Sequence, residues 1–146
     1  MKERNRWHMF SLILIIIVFL TGCAGLGDWT IELGAGYAID RVNADEKIVT
    51  RQRNEISSRE LIIDDFYAQK YLVHGNIICV GGLKTHSGRK TITDEERQNG
   101  STIYYIINTE DDSVIGPFDL NAVYCILDEE TDFTEEPSFT ILPGKR

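Results

Sequence analysis

The residues able to do chemistry are scattered over the body of the chain, and their spacing argues against most familiar sites. The stretch Gly82-Leu83-Lys84-Thr85-His86-Ser87-Gly88-Arg89-Lys90-Thr91 follows an apolar run and has the outline of a phosphate-binding loop. Such a loop needs four residues between its glycines and a Lys directly after the second, so that backbone N–H groups and the ammonium converge on phosphate. Here five residues separate the glycines and Arg89 intervenes. The segment reads instead as a basic, solvated loop of Lys84, His86, Arg89 and Lys90, suited at most to an acidic partner or a lipid headgroup. Four acidic runs, Asp64-Asp65, Asp94-Glu95-Glu96, Glu110-Asp111-Asp112 and Asp128-Glu129-Glu130, lack the alternate oxygen spacing and the Gly of a calcium loop. They read as solvated turns and helix ends. His74 and His86 sit in no metal-ligand spacing, and no Gly-x-Ser-x-Gly elbow is present. The expectation is a chain with no metal, no cofactor and no catalytic constellation.

One motif is sharp. Lys2, Arg4 and Arg6 form a basic start, and Phe10-Ser11-Leu12-Ile13-Leu14-Ile15-Ile16-Ile17-Val18-Phe19-Leu20 supplies an apolar stretch of eleven residues. A spanning helix needs about 20 apolar residues, so this stretch suits the core of an export signal. It runs into Leu20-Thr21-Gly22-Cys23, which resembles a bacterial lipobox. That resemblance implies cleavage between Gly22 and Cys23 and diacylglyceryl attachment at the Cys23 thiol. Residues 1–22 are then a signal peptide, 23–28 a lipidated Cys with a short flexible tether, and 29–146 a single globular domain. Ala24 rather than Asp follows Cys23, which suits the outer membrane in a Gram-negative host. A Gram-positive host would hold the protein on the outer face of its one membrane.

The charge balance supports export without nucleic acid. The 146 residues carry a net −8; the leader contributes +2, so the remaining 124 carry −10. Nucleic acid and anionic membrane surfaces both call for clustered Lys and Arg, which such a domain lacks. Two cysteines remain, Cys79 and Cys125, each within an apolar run. An extracytoplasmic location permits a disulfide between them. Buried free Cys also behaves as a small hydrophobe, and unpaired core residues are the favoured reading.

The pattern of the body is mostly strand. Trp29-Thr30-Ile31-Glu32-Leu33 alternates, Gly34-Ala35-Gly36 turns, and residues 37–42 alternate again, which predicts a hairpin with a three-residue connection. Residues 47–51 predict a third strand. Residues 66–73 and 77–83 predict a hairpin around His74-Gly75-Asn76, with a helix over 60–73 as the competing reading. Residues 85–99 read as a long polar connection ending in a tight turn at Asn99-Gly100. Residues 101–108 are β-branched and aromatic almost throughout, which predicts a strand covered on both faces. Val114-Ile115 adds a short strand that Gly116-Pro117 breaks. Asp119 is a candidate N-cap for an apolar stripe at Leu120, Val123, Tyr124 and Leu127, predicting a helix over about 119–130. The tail around Pro137 and Pro143 reads as peripheral. The expected fold is α+β: a mostly antiparallel sheet with one C-terminal helix packed on it.

With the lipobox, Asp28-Trp29, Gly36-Tyr37-Ala38-Ile39-Asp40-Arg41 and Tyr105-Ile106-Ile107-Asn108…Gly116-Pro117-Phe118 in view, the chain is similar to small uncharacterised bacterial lipoproteins catalogued as domain of unknown function 3997. The resemblance implies an exported, membrane-attached domain and brings no catalytic residues with it; only Cys23 carries over. The sequence thus points to a non-catalytic binding or envelope-associated domain in the cell envelope. It is held to the membrane through the lipid on Cys23 and could meet a protein partner there. The alternatives are an envelope enzyme with an unrecognised site, or an inhibitor or immunity lipoprotein against a basic target.

Overall fold

The computed structural model describes residues 28–53, 58–86, 91–130 and 137–144. The expected signal peptide, Cys23 and residues 87–90 lie outside the described residues. Four strands, β1 (Trp29–Gly34), β2 (Tyr37–Asn43), β3 (Glu46–Gln52) and β4 (Arg59–Leu61), form one antiparallel sheet in that order. The second sheet holds β5 (Phe66–His74), β6 (Ile77–Lys84), β7 (Thr102–Asn108), β8 (Ser113–Phe118) and β9 (Thr140–Ile141), in the order β8-β7-β6-β5-β9. Two helices complete the described chain, α1 (Asp94–Asn99) and α2 (Leu120–Glu130). The protein is α+β, mostly antiparallel sheet with α2 packed upon it.

Period-2 alternation explains how three layers form from these elements. Leu33, Tyr37, Ile39 and Val49 of the first sheet meet Phe66, Ala68, Ile78, Val80 and Ile107 of the second in one buried cluster. The alternate residues Ile77, Cys79, Tyr104 and Ile106 point the other way and pack under Val123 and Leu127 of α2. Adjacent Tyr104 and Tyr105 show the principle directly: Tyr104 is buried on the helix side, while Tyr105 packs edge-on to Phe66 on the sheet side, 5.3 Å between ring centres. The strand over 102–108 is therefore covered on both faces, as its composition predicts.

Several elements differ from the sequence expectation. The first hairpin turns through two residues, Ala35 and Gly36, both at positive φ, with a register shift between Glu32 and Gly34. Two left-handed residues match the twist of the flanking strands. The backbone at Gly36 also lies so close to Gln52 O that a Cβ would sit 2.8 Å from it. Residues 60–73 are strand and turn, not helix. Within the expected polar connection, 94–99 are helical and Asn99 is their last residue, so Asn99-Gly100 ends a helix, with Gly100 extended, instead of forming a tight turn. β8 continues through Gly116-Pro117 to Phe118.

The tail is the largest correction. β9 pairs with β5 at Lys70 and Tyr71, Leu142 is buried in the inter-sheet core, and Phe139 packs against Tyr104. A bulge at Gln69, between Ala68 and Lys70, receives this segment: Leu142 N donates to Gln69 O at 2.8 Å. The sequence hides this strand because only two residues pair.

Candidate functional site

Lys47 and Arg97 meet the Trp29 and Tyr67 rings at the end of the sandwich where the chain enters β1. Register places Trp29, Arg41 and Lys47 side by side across β1, β2 and β3. Lys47 is buried; its ammonium lies 5.7 Å from the Trp29 ring centre and 5.2 Å from that of Tyr67, and donates to Pro143 O at 2.7 Å. Burial pushes the ammonium below its ordinary pKa, with Tyr67 beside it acting in the opposite direction. Arg97 of α1 reaches the same place. It donates to Tyr67 Oη at 3.1 Å and to Asp45 Oδ1 at 2.9 Å, while Ile92 N donates to Asp45 O. Lys47 thus ties β3 to the C-terminal segment, and Arg97 ties α1 to the β2–β3 turn.

His86 and Glu96 lie beside this cluster and, among the described residues, have the outline of an acid–base pair. The connection after β6 brings His86 to the N-terminal turn of α1. Glu96 accepts from the His86 backbone N at 3.1 Å and pairs with His86 Nδ1. The same carboxylate closes a capping box: Thr93 N and Thr93 Oγ1 donate to it, and Thr93 Oγ1 accepts from Glu96 N. His86, then the two Thr93 donors, hold the Glu96 carboxyl far below its usual range, at about 2. A shallow cleft of about 550 Å³ opens here, bordered by His86, Thr93, Glu95, Glu96, Asn99 and Gly100. Glu96 orients His86, yet the hydroxyl closest in sequence to Glu96, that of Thr93, is already engaged in the cap. The pair can bind or shuttle a proton, and the buried Thr85 lines the adjoining cleft with it.

The remaining sequence candidates are separated. His74 ends β5 at the opposite end of the sheet from His86 and is exposed. Cys79 is fully buried, and burial pushes its thiol up to about 12; Cys125 is exposed on α2. Both are free thiols, so the bridge weighed between them is not formed, and Cys125 is not a core residue. The helix turns Leu120, Val123, Ile126 and Leu127 inward instead, with Ile126 taking a place expected for Tyr124.

The acidic runs divide by role. Asp112 pairs with Arg51 and accepts from Tyr37 Oη at 3.4 Å, joining the β7–β8 turn to the first sheet. Asp64-Asp65 turns the chain between β4 and β5, and Asp128-Glu129-Glu130 ends α2. Among the described residues no group of His, Cys, Asp or Glu could hold a metal ion, and no helix is long and apolar enough to cross a membrane.

The sequence reading missed two features. The Thr93-x-x-Glu96 capping signature is legible in the sequence and marks α1. The network on the outer face of the first sheet has no local signal: Thr30 and Thr50 donate to the two oxygens of Asp40, at 2.6 Å each, and Arg59 bridges Asp40 and Glu32. Its members come from four strands. No protein-family model, curated protein or solved structure matches this chain.

Proposed function

We propose that this is an exported bacterial lipoprotein of the cell envelope, anchored through Cys23, whose domain works by binding rather than by catalysis. The observation that carries the reading is Leu20-Thr21-Gly22-Cys23 directly after a basic start and an eleven-residue apolar stretch. A single acyl chain holds a protein to a bilayer only marginally, whereas two or three acyl chains anchor it stably. The similarity to small bacterial lipoproteins points the same way. The placement of the candidate groups favours binding: His74 and His86 lie at opposite ends, and the Cys79 thiol is buried and protonated. The acidic surface left by a net −10 suits a basic envelope partner.

Metabolic labelling with a tagged fatty acid tests the anchor. Label is expected on the wild type, and Cys23→Ser is expected to lose it and accumulate precursor. Equal labelling, or none in either, would overturn the reading. A second reading, an envelope enzyme, is favoured by one observation, the His86–Glu96 pair beside its cleft. It requires a hydrolytic or transfer activity that His86→Ala abolishes while far-ultraviolet circular dichroism shows the fold retained.

A further inference from the structure

We infer that the Trp29 end of the domain is a bilayer-contact surface, resting on the headgroups of the membrane that holds the Cys23 lipid. This deepens the lipoprotein reading and rests on it. Five residues, 24–28, separate Cys23 from Trp29. The six steps from Cys23 to Trp29 span at most about 22 Å fully extended, and a Gly-rich chain of that length averages roughly 13 Å end to end. Trp29 is fixed to the domain from its first residue, since it pairs with Arg41 and packs against the inter-sheet core.

The far end is out of reach of the bilayer. β5 alone, nine residues from Phe66 to His74, covers about 27 Å at some 3.4 Å per step. Standing the domain on its His74 end would lift Trp29 farther from the membrane than the tether extends. The outer face of the first sheet is a poor alternative, because its Glu32, Asp40 and Arg59 network is ionic, and drawing charges toward hydrocarbon is unfavourable.

The Trp29 end has the composition that headgroup contact favours. It presents Val42, 46% exposed, beside half-buried Trp29, with the Tyr67 ring and the Lys47 ammonium behind them. Of the acids at this end, Asp45 pairs with Arg97, Glu46 accepts from Asn43 and Glu96 pairs with His86, while Asp28 beside Trp29 is exposed. Lys47 also holds Pro143 O here, so the C-terminal segment closes the same end.

The chain carries its own probe. It has two tryptophans, and Trp7 leaves with the signal peptide, so Trp29 alone reports in the mature protein. The lipidated chain is floated with phosphatidylcholine vesicles, with and without a spin label on the lipid headgroup. Trp29 emission is expected to fall on the labelled vesicles. In a Trp29→Phe, His74→Trp variant the emission is expected to stay unchanged. Flotation with Trp29 unquenched, or with the probe at 74 quenched as strongly, would overturn the surface. Failure to float would overturn the lipid anchor and this surface with it. The wild-type arm needs no substitution and decides the matter even where the double variant fails to fold.

Discussion

Glu96 shows how one carboxylate can hold a local structure together and how its role can be read out by pH. Its pKa of about 2 in the fold lies below the ordinary value of 4.5, chiefly through His86 and then the Thr93 donors. A group depressed in this way stabilises the fold fully above its unfolded pKa and loses that contribution as the pH falls toward the folded value. We therefore expect Glu96→Ala to lower the thermal midpoint at pH 7, with the gap to wild type closing between about pH 4.5 and 2. A gap that stays constant across that window would show that the side chain acts through packing alone. Thr93→Ala should cost about 1 kcal/mol at neutral pH, the usual worth of an N-cap. Lys47 presents the opposite case. Its ammonium is held below the ordinary value by burial, so charging it opposes folding at neutral pH, and its bond to Pro143 O offsets part of that cost.

Among the elements, β6 is the one whose neighbours leave least room. Its last glycine, Gly82, faces the bulged part of β5, and a Cβ there would lie 2.1 Å from Tyr67 O and 2.8 Å from the Phe66 ring. The backbone oxygen cannot step aside without breaking the β5–β6 ladder. Gly82→Ala is expected to destabilise the domain by about 3 kcal/mol, the upper end for forced overpacking. Equilibrium urea unfolding measures this, and a change below about 1 kcal/mol, within the range of ordinary surface substitutions and small repacking, would contradict the close approach. Gly82 also marks where sequence reasoning stops. In the sequence it only opens a stretch with the outline of a phosphate-binding loop, which the spacing rules out, whereas its place in the fold is a contact with a neighbouring strand. The alternation in 29–33 and 37–42 and the apolar stripe of 119–130 were legible because strand and helix periods are local. The two-residue β9 and the Gln69 bulge that receives it were not, because their hydrogen bonds join residues about seventy positions apart. The candidate site divides the same way: the Thr93-x-x-Glu96 signature is local, while Lys47 meets Trp29, Tyr67 and Pro143 only through the fold.

At the scale of the molecule, two sheets and a helix share a core that the C-terminal segment completes. The inter-sheet cluster draws side chains from both sheets and includes Leu142 at 4% exposure, while Phe139 fills the helix-side cluster. Ending the chain at Glu136 would open both clusters and leave the Lys47 ammonium without its carbonyl partner. Emptying one buried Leu site costs about 2–5 kcal/mol, and an unpartnered buried donor adds about 1–3 kcal/mol. A small domain has only about 5–15 kcal/mol to lose. The truncated domain is therefore expected to lose at least about 3 kcal/mol, and Leu142→Ala alone about half of the full effect or more. Because both sheets contribute to one cluster, Trp29 fluorescence and far-ultraviolet circular dichroism should report the same urea midpoint in the intact domain. A truncation that leaves the midpoint where it was would return the tail to the periphery. Two separate midpoints would mean that the sheets hold together individually, and that the segment carrying Leu142 does not join them.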